Sequence, residues 1–179
     1  IEYDSIKQLM LKLNSRGHEI GCHPSYETFN NPQKLDDEAK RFIKILAELN
    51  ILQESWGGRM HFLKWEWPNT ANALSSSGFH YDSTLGFADQ AGFRCGTCFD
   101  YQLFDPIKKI KLNLVERPLV AMECSVLFDK YQGKSDTKDA FEVFKELKDN
   151  CRSVHGTFTL LWHNSQLDQK WKKDLYLKI

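Results

Sequence analysis

The chain has 179 residues, of which 41% are hydrophobic, and this supplies enough apolar side chains for the core of one domain. Its 24 basic residues balance its 24 acidic residues, so the sequence lacks the basic surface that nucleic-acid-binding proteins use. We therefore expect no nucleic-acid partner, and no apolar stretch is long enough to predict a membrane span.

The chain begins with Ile1 rather than Met, and no signal or transit peptide follows, so we interpret it as a piece of a longer protein. Its 5 cysteines are irregularly spaced, which argues against a disulfide framework and favours a reducing, cytoplasmic compartment. Cys95 and Cys98 have the spacing of a redox or zinc motif. Because Pro106 follows closely and no second cysteine pair exists, we reject both functions for this motif.

Helix-type and strand-type spacings of apolar residues alternate along the chain. The first half predicts a helix over Ile6–Leu13, a strand over Glu19–Cys22, a helix that opens at Asp36 and buries Ile43, and a strand over Arg59–Leu63. A short helix over Pro68–Gly78 and a strand over Phe79–Tyr81 follow. The second half predicts strands over Ile110–Leu114 and Val120–Phe128, a helix over Ala140–Cys151 and a buried strand over Thr157–Trp162.

This alternation indicates an α/β fold with a parallel sheet or barrel. No linker or repeat interrupts it, so residues 1–179 are predicted to form a single domain. Because the chain starts on a helix, we expect the preceding strand to lie upstream of Ile1, which leaves the domain truncated at its N-terminus.

Four polar side chains follow or end predicted strands: His23, His61, Asp82 and His163. In parallel α/β folds, ligand sites form beyond the carboxyl ends of the strands. Three imidazoles and one carboxylate at such an edge suit a metal site or acid–base catalysis. Each residue also has a structural interpretation, as a hydrogen-bonded histidine or as a turn at Asp82.

Several motifs resemble those of polysaccharide deacetylases with a NodB homology domain, which belong to the carbohydrate esterase family 4 type. The segment Gly17–Pro24 resembles the approach to their metal-binding histidine motif, and Gly78–Ser83 resembles a Gly-Phe-x-Tyr-Asp-Ser segment of one branch. Leu160–Ser165 resembles their final motif, a buried strand that ends in the catalytic histidine. Arg59, followed by a helix, matches their arginine-bearing motif.

The resemblance implies an incomplete, distorted parallel (β/α) barrel of the NodB type and a divalent metal cofactor, zinc in the first instance. It implies that His23 is a metal ligand. The family's second histidine falls four residues later, at Glu27, so Glu27 and His61 are alternative second ligands. We favour His61 because it lies at a predicted strand end, whereas Glu27 lies in a loop and can instead be a solvated acid. The family's first motif, an Asp pair that supplies the base and a metal ligand, would lie upstream of Ile1.

The implied activity is hydrolysis of the acetamide of N-acetylated sugars in a polysaccharide or its precursor. His163 would protonate the leaving amine, and Asp82 would orient its imidazole. Arg59 would hold the upstream carboxylate through a bidentate pair. Without the upstream strand, we expect this piece alone to be inactive and to self-associate through an open sheet edge.

Carbohydrate-binding sites commonly contain aromatic side chains on which sugar rings can stack. Trp65, Trp67 and Trp162 lie near the candidate catalytic residues and are predicted to bind the substrate. Trp162 lies within an apolar run, so a core position is an equal alternative.

Two other functions compete with deacetylation. One is a non-catalytic carbohydrate-binding module on a deacetylase-like scaffold, which the replacement of the second histidine favours. The weaker one is a glycoside hydrolase barrel, which needs two carboxylates across its cleft, whereas the predicted strand ends offer only Asp82.

Overall fold

A computed structural model of the protein describes residues 3–134 and 136–179. These residues separate into two compact units. Unit 1 contains the described residues up to Thr84 together with Gln102–Glu116, and unit 2 contains Leu85–Tyr101 together with those of Arg117–Ile179. The single domain over residues 1–179 stays a prediction.

Six α-helices run through the described residues: α1 (Asp4–Asn14), α2 (Pro32–Glu48), α3 (Asn69–Ser76), α4 (Glu123–Leu127), α5 (Thr137–Ser153) and α6 (Lys170–Lys178). The four predicted helices are confirmed as α1, α2, α3 and α5. Within the described residues, no helix has both the length and the apolar character needed to cross a membrane.

Helix α2 begins four residues before the predicted start at Asp36. The Asn31 side chain accepts a hydrogen bond from the Lys34 backbone N–H at 3.1 Å, and Pro32 occupies the first turn, where its missing N–H costs nothing. The predicted burial of Ile43 is wrong, because its side chain is 44% exposed.

The strands of unit 1 are short and mostly parallel: β1 (Gly57–Gly58), β2 (Tyr81–Asp82), β3 (Tyr101–Asp105) and β4 (Ile110–Glu116). Their order in the sheet is β1-β2-β4-β3, with β1, β2 and β4 parallel. The α/β class with parallel strands is therefore confirmed. Within neither unit do the described strands close into a barrel, and self-association through a sheet edge stays a prediction.

The predicted strand over Arg59–Leu63 is wrong. The strand ends at Gly58, and His61–Leu63 forms a 3₁₀ turn in which Phe62 and Leu63 have φ angles of 55° and 53°. Two successive non-glycine residues in the left-handed region strain the backbone, and this turn sets the position of His61.

The core of unit 1 is formed largely by helices α2 and α3 and by aromatic side chains below the sheet. The Trp56 ring lies 5.3 Å from Phe42 and 4.4 Å from Phe79, measured between centroids, and Leu35 and Leu74 are fully buried. Such aromatic pairs each stabilise a core by about 0.5–1.5 kcal/mol beyond the burial of their surface.

Unit 2 contains two parallel strands, β5 (Ala121–Met122) and β6 (Leu160–Leu161), with Met122 paired to Leu161. The predicted strand over Val120–Phe128 is therefore correct only at its start, because α4 takes over at Glu123. The core beside these strands contains four fully buried side chains from α4, α5 and α6: Val126, Ala140, Phe144 and Leu175.

The two glycines of β1 are a steric requirement of the sheet. A Cβ atom on Gly57 would lie 2.4 Å from the Tyr81 carbonyl oxygen, and one on Gly58 would lie 2.3 Å from that of Cys22. Real Cβ atoms do not approach a backbone oxygen this closely, so any side chain would force the strands apart.

We predict that Gly57→Ala lowers the free energy of unfolding, measured by urea denaturation, by about 1–3 kcal/mol or more, because overpacked backbone contacts must open. Gly21→Ala is the matched control: its Cβ would lie 3.2 Å from the Gly57 carbonyl oxygen, so its cost should be clearly smaller. Equal stabilities of the two variants would contradict this account of the sheet.

Candidate functional site

Polar side chains collect where the parallel strands of unit 1 end. Gly58 pairs with Asp82, and Asp82 pairs with Glu116, so these positions form one row across the sheet. Cys22 joins the row through a parallel bridge to Gly58, which puts His23 just beyond its end. Parallel sheets bind ligands at this edge because the carboxyl ends of all their strands meet there.

Two imidazoles of unit 1 contact each other directly. His23 Nε2 lies 2.9 Å from His61 Nδ1, and His23 Nδ1 lies 2.7 Å from the Arg59 carbonyl oxygen. A carbonyl can only accept, so Nδ1 of His23 carries the proton and Nε2 carries the lone pair. Metal-binding histidines are oriented in this way in proteins, but here His61 Nδ1–H donates to the Nε2 lone pair of His23, so metal binding by the pair stays a prediction.

Glu27, the alternative second ligand, makes a different contact. Its carboxylate accepts a hydrogen bond from Lys34 Nζ at 2.6 Å, and this hydrogen bond and the Lys34 charge lower the pKa of Glu27. The side chain is 74% exposed. The structure thus brings His61 to His23 and pairs Glu27 with a lysine.

A buried carboxyl pair lies behind this edge. Asp82 is fully buried, accepts hydrogen bonds from the Thr84 N–H at 2.8 Å and the Thr84 hydroxyl at 2.6 Å, and hydrogen-bonds the Glu116 side chain. Two carboxyl groups that hydrogen-bond each other share a proton. Burial accordingly raises the pKa of Asp82.

Arg59 lies beside the carboxyl pair. Its guanidinium donates hydrogen bonds to the Ser83 carbonyl at 2.7 Å and the Ser83 hydroxyl at 2.9 Å. Burial lowers the pKa of Arg59, and the negative charges of Asp82 and Glu116 oppose this effect. Within unit 1, Arg59 thus has carboxylate neighbours of its own. Its contact with an upstream carboxylate stays a prediction.

Unit 2 carries a second cluster, which we call the Glu-Cys-His trio: Glu123, Cys124 and His163. Glu123 Oε1 lies 2.5 Å from His163 Nδ1 and 3.0 Å from Cys124 Sγ, and Sγ lies 3.6 Å from the same ring nitrogen. Glu123 is fully buried, whereas the His163 side chain is 47% exposed. Burial, together with the hydrogen bond and charge of Glu123, raises the pKa of the Cys124 thiol to about 12.

The strands of unit 2 position this trio. Glu123 and Cys124 directly follow β5, and His163 comes two residues after β6, so the trio lies at the carboxyl ends of paired parallel strands. Across residues 3–134 and 136–179, no other group of three His, Cys or acidic side chains has ligand atoms all within 4.8 Å of one another. This group, in which Glu123 is buried and His163 is exposed, could hold a metal ion.

Glu123, which contacts the His163 ring, is the main site residue that the sequence analysis did not identify. The resemblance gives this role to Asp82, which bonds to Thr84 and Glu116 in unit 1, whereas Nδ1 of His163 contacts Glu123. A signal was present in the sequence: Glu123 follows the apolar run Leu119–Met122, much as His163 follows its own apolar strand.

The three predicted substrate-binding tryptophans occupy different environments. Trp65 and Trp67 stack with centroids 6.1 Å apart and an interplanar angle of 26°, and Trp67 is 43% exposed. Trp162 packs between Phe144 at 5.9 Å and Tyr176 at 5.3 Å, against the core of unit 2. For Trp162 the structure thus agrees with the alternative of a core position.

Exposed aromatic side chains also surround His61. The Phe62 ring lies 4.8 Å from the His61 ring and is 74% exposed, and Tyr26 lies 5.7 Å from Phe62 and is 47% exposed. These two rings offer apolar faces beside the imidazole pair.

The chain matches no protein-family model, and no curated protein sequence is significantly similar to it. The resemblance to polysaccharide deacetylases therefore rests on the short motifs quoted above.

The proton shared by Asp82 and Glu116 predicts a pH dependence of stability. The folded state keeps a proton that the unfolded chain releases above the ordinary carboxyl pKa of about 3.9, so stability falls as pH rises above that value, by at most about 1.4 kcal/mol per pH unit. Asp82→Asn should flatten this decline in urea unfolding measured across a pH series. The exposed Asp89→Asn is the control, and an unchanged slope in Asp82→Asn would contradict the shared proton.

The imidazole pair predicts which side chains bind metal in unit 1. Zn²⁺ titration in a Cys124→Ser background, which disables the trio, should show that His23→Ala and His61→Ala each weaken binding roughly 100-fold or more. Glu27→Gln should change the affinity little, because Glu27 pairs with Lys34. Undiminished binding in both histidine variants would contradict the site.

Proposed function

We propose that the protein is a metal-dependent hydrolase that removes acetyl groups from N-acetylated sugars of a polysaccharide or its precursor, on a barrel of the NodB type. The observation that carries this proposal is the contact of 2.5 Å between His163 Nδ1 and the buried Glu123 carboxylate. A carboxylate that orients a half-exposed imidazole is the arrangement by which hydrolases protonate a leaving group.

Amide hydrolysis needs a proton for the amine that departs. With Nδ1–H donated to Glu123, the opposite nitrogen of His163, Nε2, is the one that can deliver this proton. The negative charge of Glu123 stabilises the imidazolium before the transfer. Because Glu123 is fully buried, water does not compete for the hydrogen bond.

The imidazole pair supports the metal part of the proposal. His23 would hold the cation through Nε2, and His61 would hold it through Nδ1 after the Nδ1 proton has moved to the opposite nitrogen of its ring. A divalent cation there supplies polarisation of the acetyl carbonyl and a more acidic water. The hydrogen bond from His23 Nδ1 to the Arg59 carbonyl fixes the orientation of the His23 ring and leaves Nε2 as the nitrogen that would bind the cation.

A second candidate is a non-catalytic carbohydrate-binding module, and the exposed aromatic side chains favour it. Tyr26, Phe62 and Trp67 are each at least 43% exposed, and sugar rings stack on such faces. This candidate predicts binding of the sugar without release of acetate, so one assay separates the two functions.

The test of the deacetylase proposal uses the full-length protein, loaded with Zn²⁺, and N-acetylglucosamine oligosaccharides as substrate. His163→Ala should slow acetate release on the order of 100-fold or more, because the proton donor is lost. Glu123→Gln should slow it somewhat less, because the imidazole remains but loses its charged partner. His18→Ala, at an exposed histidine, is the matched control.

A double variant tests whether both imidazole groups serve one reaction. If they do, His23→Ala combined with His163→Ala should be scarcely slower than the slower single variant, because catalytic groups that act together are not additive. Full turnover in both single variants would contradict the proposal. Sugar binding without any acetate release would favour the carbohydrate-binding module.

A further inference from the structure

We propose that the Glu-Cys-His trio is itself a binding site for a thiophilic divalent cation such as Zn²⁺, and that its occupation disables His163 as a proton donor. The claim that the trio binds a cation depends only on the geometry of unit 2. The claim that cation binding disables His163 rests on the proposed function, because that function uses the same histidine as its proton donor.

The three ligand atoms lie close enough to one another to share one ion. At zinc–ligand distances of about 2.0–2.3 Å, neighbouring ligand atoms of a tetrahedral site are about 3.3–3.6 Å apart. Cys124 Sγ and His163 Nδ1 lie 3.6 Å apart, and Glu123 Oε1 lies 3.0 Å from the sulfur and 2.5 Å from the nitrogen. The distance between Cys124 and His163 therefore matches such a site, and side-chain rotations that open the two contacts of Glu123 by about 0.5–0.8 Å would admit a cation.

An orphaned oxygen independently points to a ligand here. Glu123 is fully buried, and its Oε2 atom has no hydrogen-bond partner among the described residues. A buried carboxylate oxygen without a partner is costly, and native proteins normally satisfy such atoms with a donor, a water or an ion. A cation bound by the trio would satisfy it, with Glu123 as a bidentate ligand.

The donor set selects the class of cation. Sulfur and imidazole nitrogen favour zinc and other transition metals, whereas Mg²⁺ and Ca²⁺ prefer sites made of oxygen ligands. A carboxylate and a thiolate also balance the two positive charges of the ion. The exposed edge of His163 leaves a route for entry and room for a further ligand from solvent.

Binding of the cation is an exchange for protons. The Cys124 thiol releases its proton to solvent. The neutral His163 ring loses its Nδ1 proton and takes one up on Nε2, so it stays neutral, and the vacated sulfur and Nδ1 lone pairs bind the ion. With a cation on Nδ1, the ring can no longer become an imidazolium held by Glu123. The proposed general acid is then lost, so excess zinc should inhibit deacetylation.

The first experiment is spectroscopic and needs no activity. The protein is titrated with Co²⁺, and the sulfur-to-cobalt charge-transfer band in the near ultraviolet is recorded. The band should saturate at the intensity of one sulfur-bound Co²⁺ per wild-type protein, disappear in Cys124→Ser and weaken in His163→Ala. It should persist in His23→Ala and in Cys22→Ser, which removes the thiol next to the imidazole pair. Circular dichroism confirms that each variant is folded.

The outcomes are decisive for the site. Absence of the band in wild type, or its persistence in Cys124→Ser, overturns it. If Glu123 is protonated and donates a hydrogen bond instead of binding a cation, the wild-type protein should show no band.

The second experiment measures acetate release as Zn²⁺ is raised beyond one equivalent. Each protein is compared with its own activity at one equivalent of Zn²⁺. The wild-type activity should fall roughly tenfold or more, as expected for loss of a general acid, whereas the activity of Cys124→Ser should fall by a much smaller factor. Equal inhibition of both proteins by Zn²⁺ would overturn the claim that cation binding at the trio disables His163. A cobalt band in a protein that never releases acetate would leave the metal site standing and remove the proposed function.

Discussion

The close contact of Gly57 and Gly58 with the neighbouring backbones determines how the polar edge of unit 1 is assembled. Because neither residue has a Cβ atom, the Cys22 segment and β2 approach β1 from either side within hydrogen-bonding distance. The parallel register then aligns Gly58, Asp82 and Glu116 in one row. His23 and Arg59 lie one residue beyond that row.

Each unit contains a buried glutamate. The glutamate of unit 1 lies next to an acid and that of unit 2 lies next to a histidine, and this difference determines the chemical role of each carboxylate. In unit 1, Glu116 hydrogen-bonds Asp82, and the pair is neutralised by a shared proton and by nearby Arg59. In unit 2, Glu123 meets an imidazole that is half exposed and can exchange protons with solvent. The first arrangement therefore suits a structural role, and the second suits proton transfer or metal binding.

The sequence predicted the class of fold and several strand-end residues, but not how those residues combine. Apolar spacing located α1 and α5, since long segments leave a clear periodic signal. It also located the strand that leads to His163, although only Leu160–Leu161 of the predicted Thr157–Trp162 forms it and these residues are half-buried. It could not separate β5 from α4, because a two-residue strand followed directly by a helix has no period of its own. Glu123 was hidden for that reason inside a segment predicted as one strand.

Spacing also could not choose between the two candidate partners of His23. Glu27 stands where the family's second histidine would be, but its nearest cation, Lys34, comes from the start of α2 and captures the carboxylate. His61 reaches His23 only because the chain leaves β1 after Gly58 and turns sharply. Both facts depend on tertiary structure that a count of residues does not contain.

The left-handed turn at Phe62 and Leu63 carries an evolutionary consequence. Glycine would adopt these φ angles without strain, so selection for stability alone would replace both residues. Glycine would also loosen the segment that presents the His61 ring and would remove the Phe62 ring that lies against it. A library of variants selected only for thermal resistance should therefore enrich glycine at these two positions, and the enriched variants would be the ones in which the imidazole pair is least well ordered.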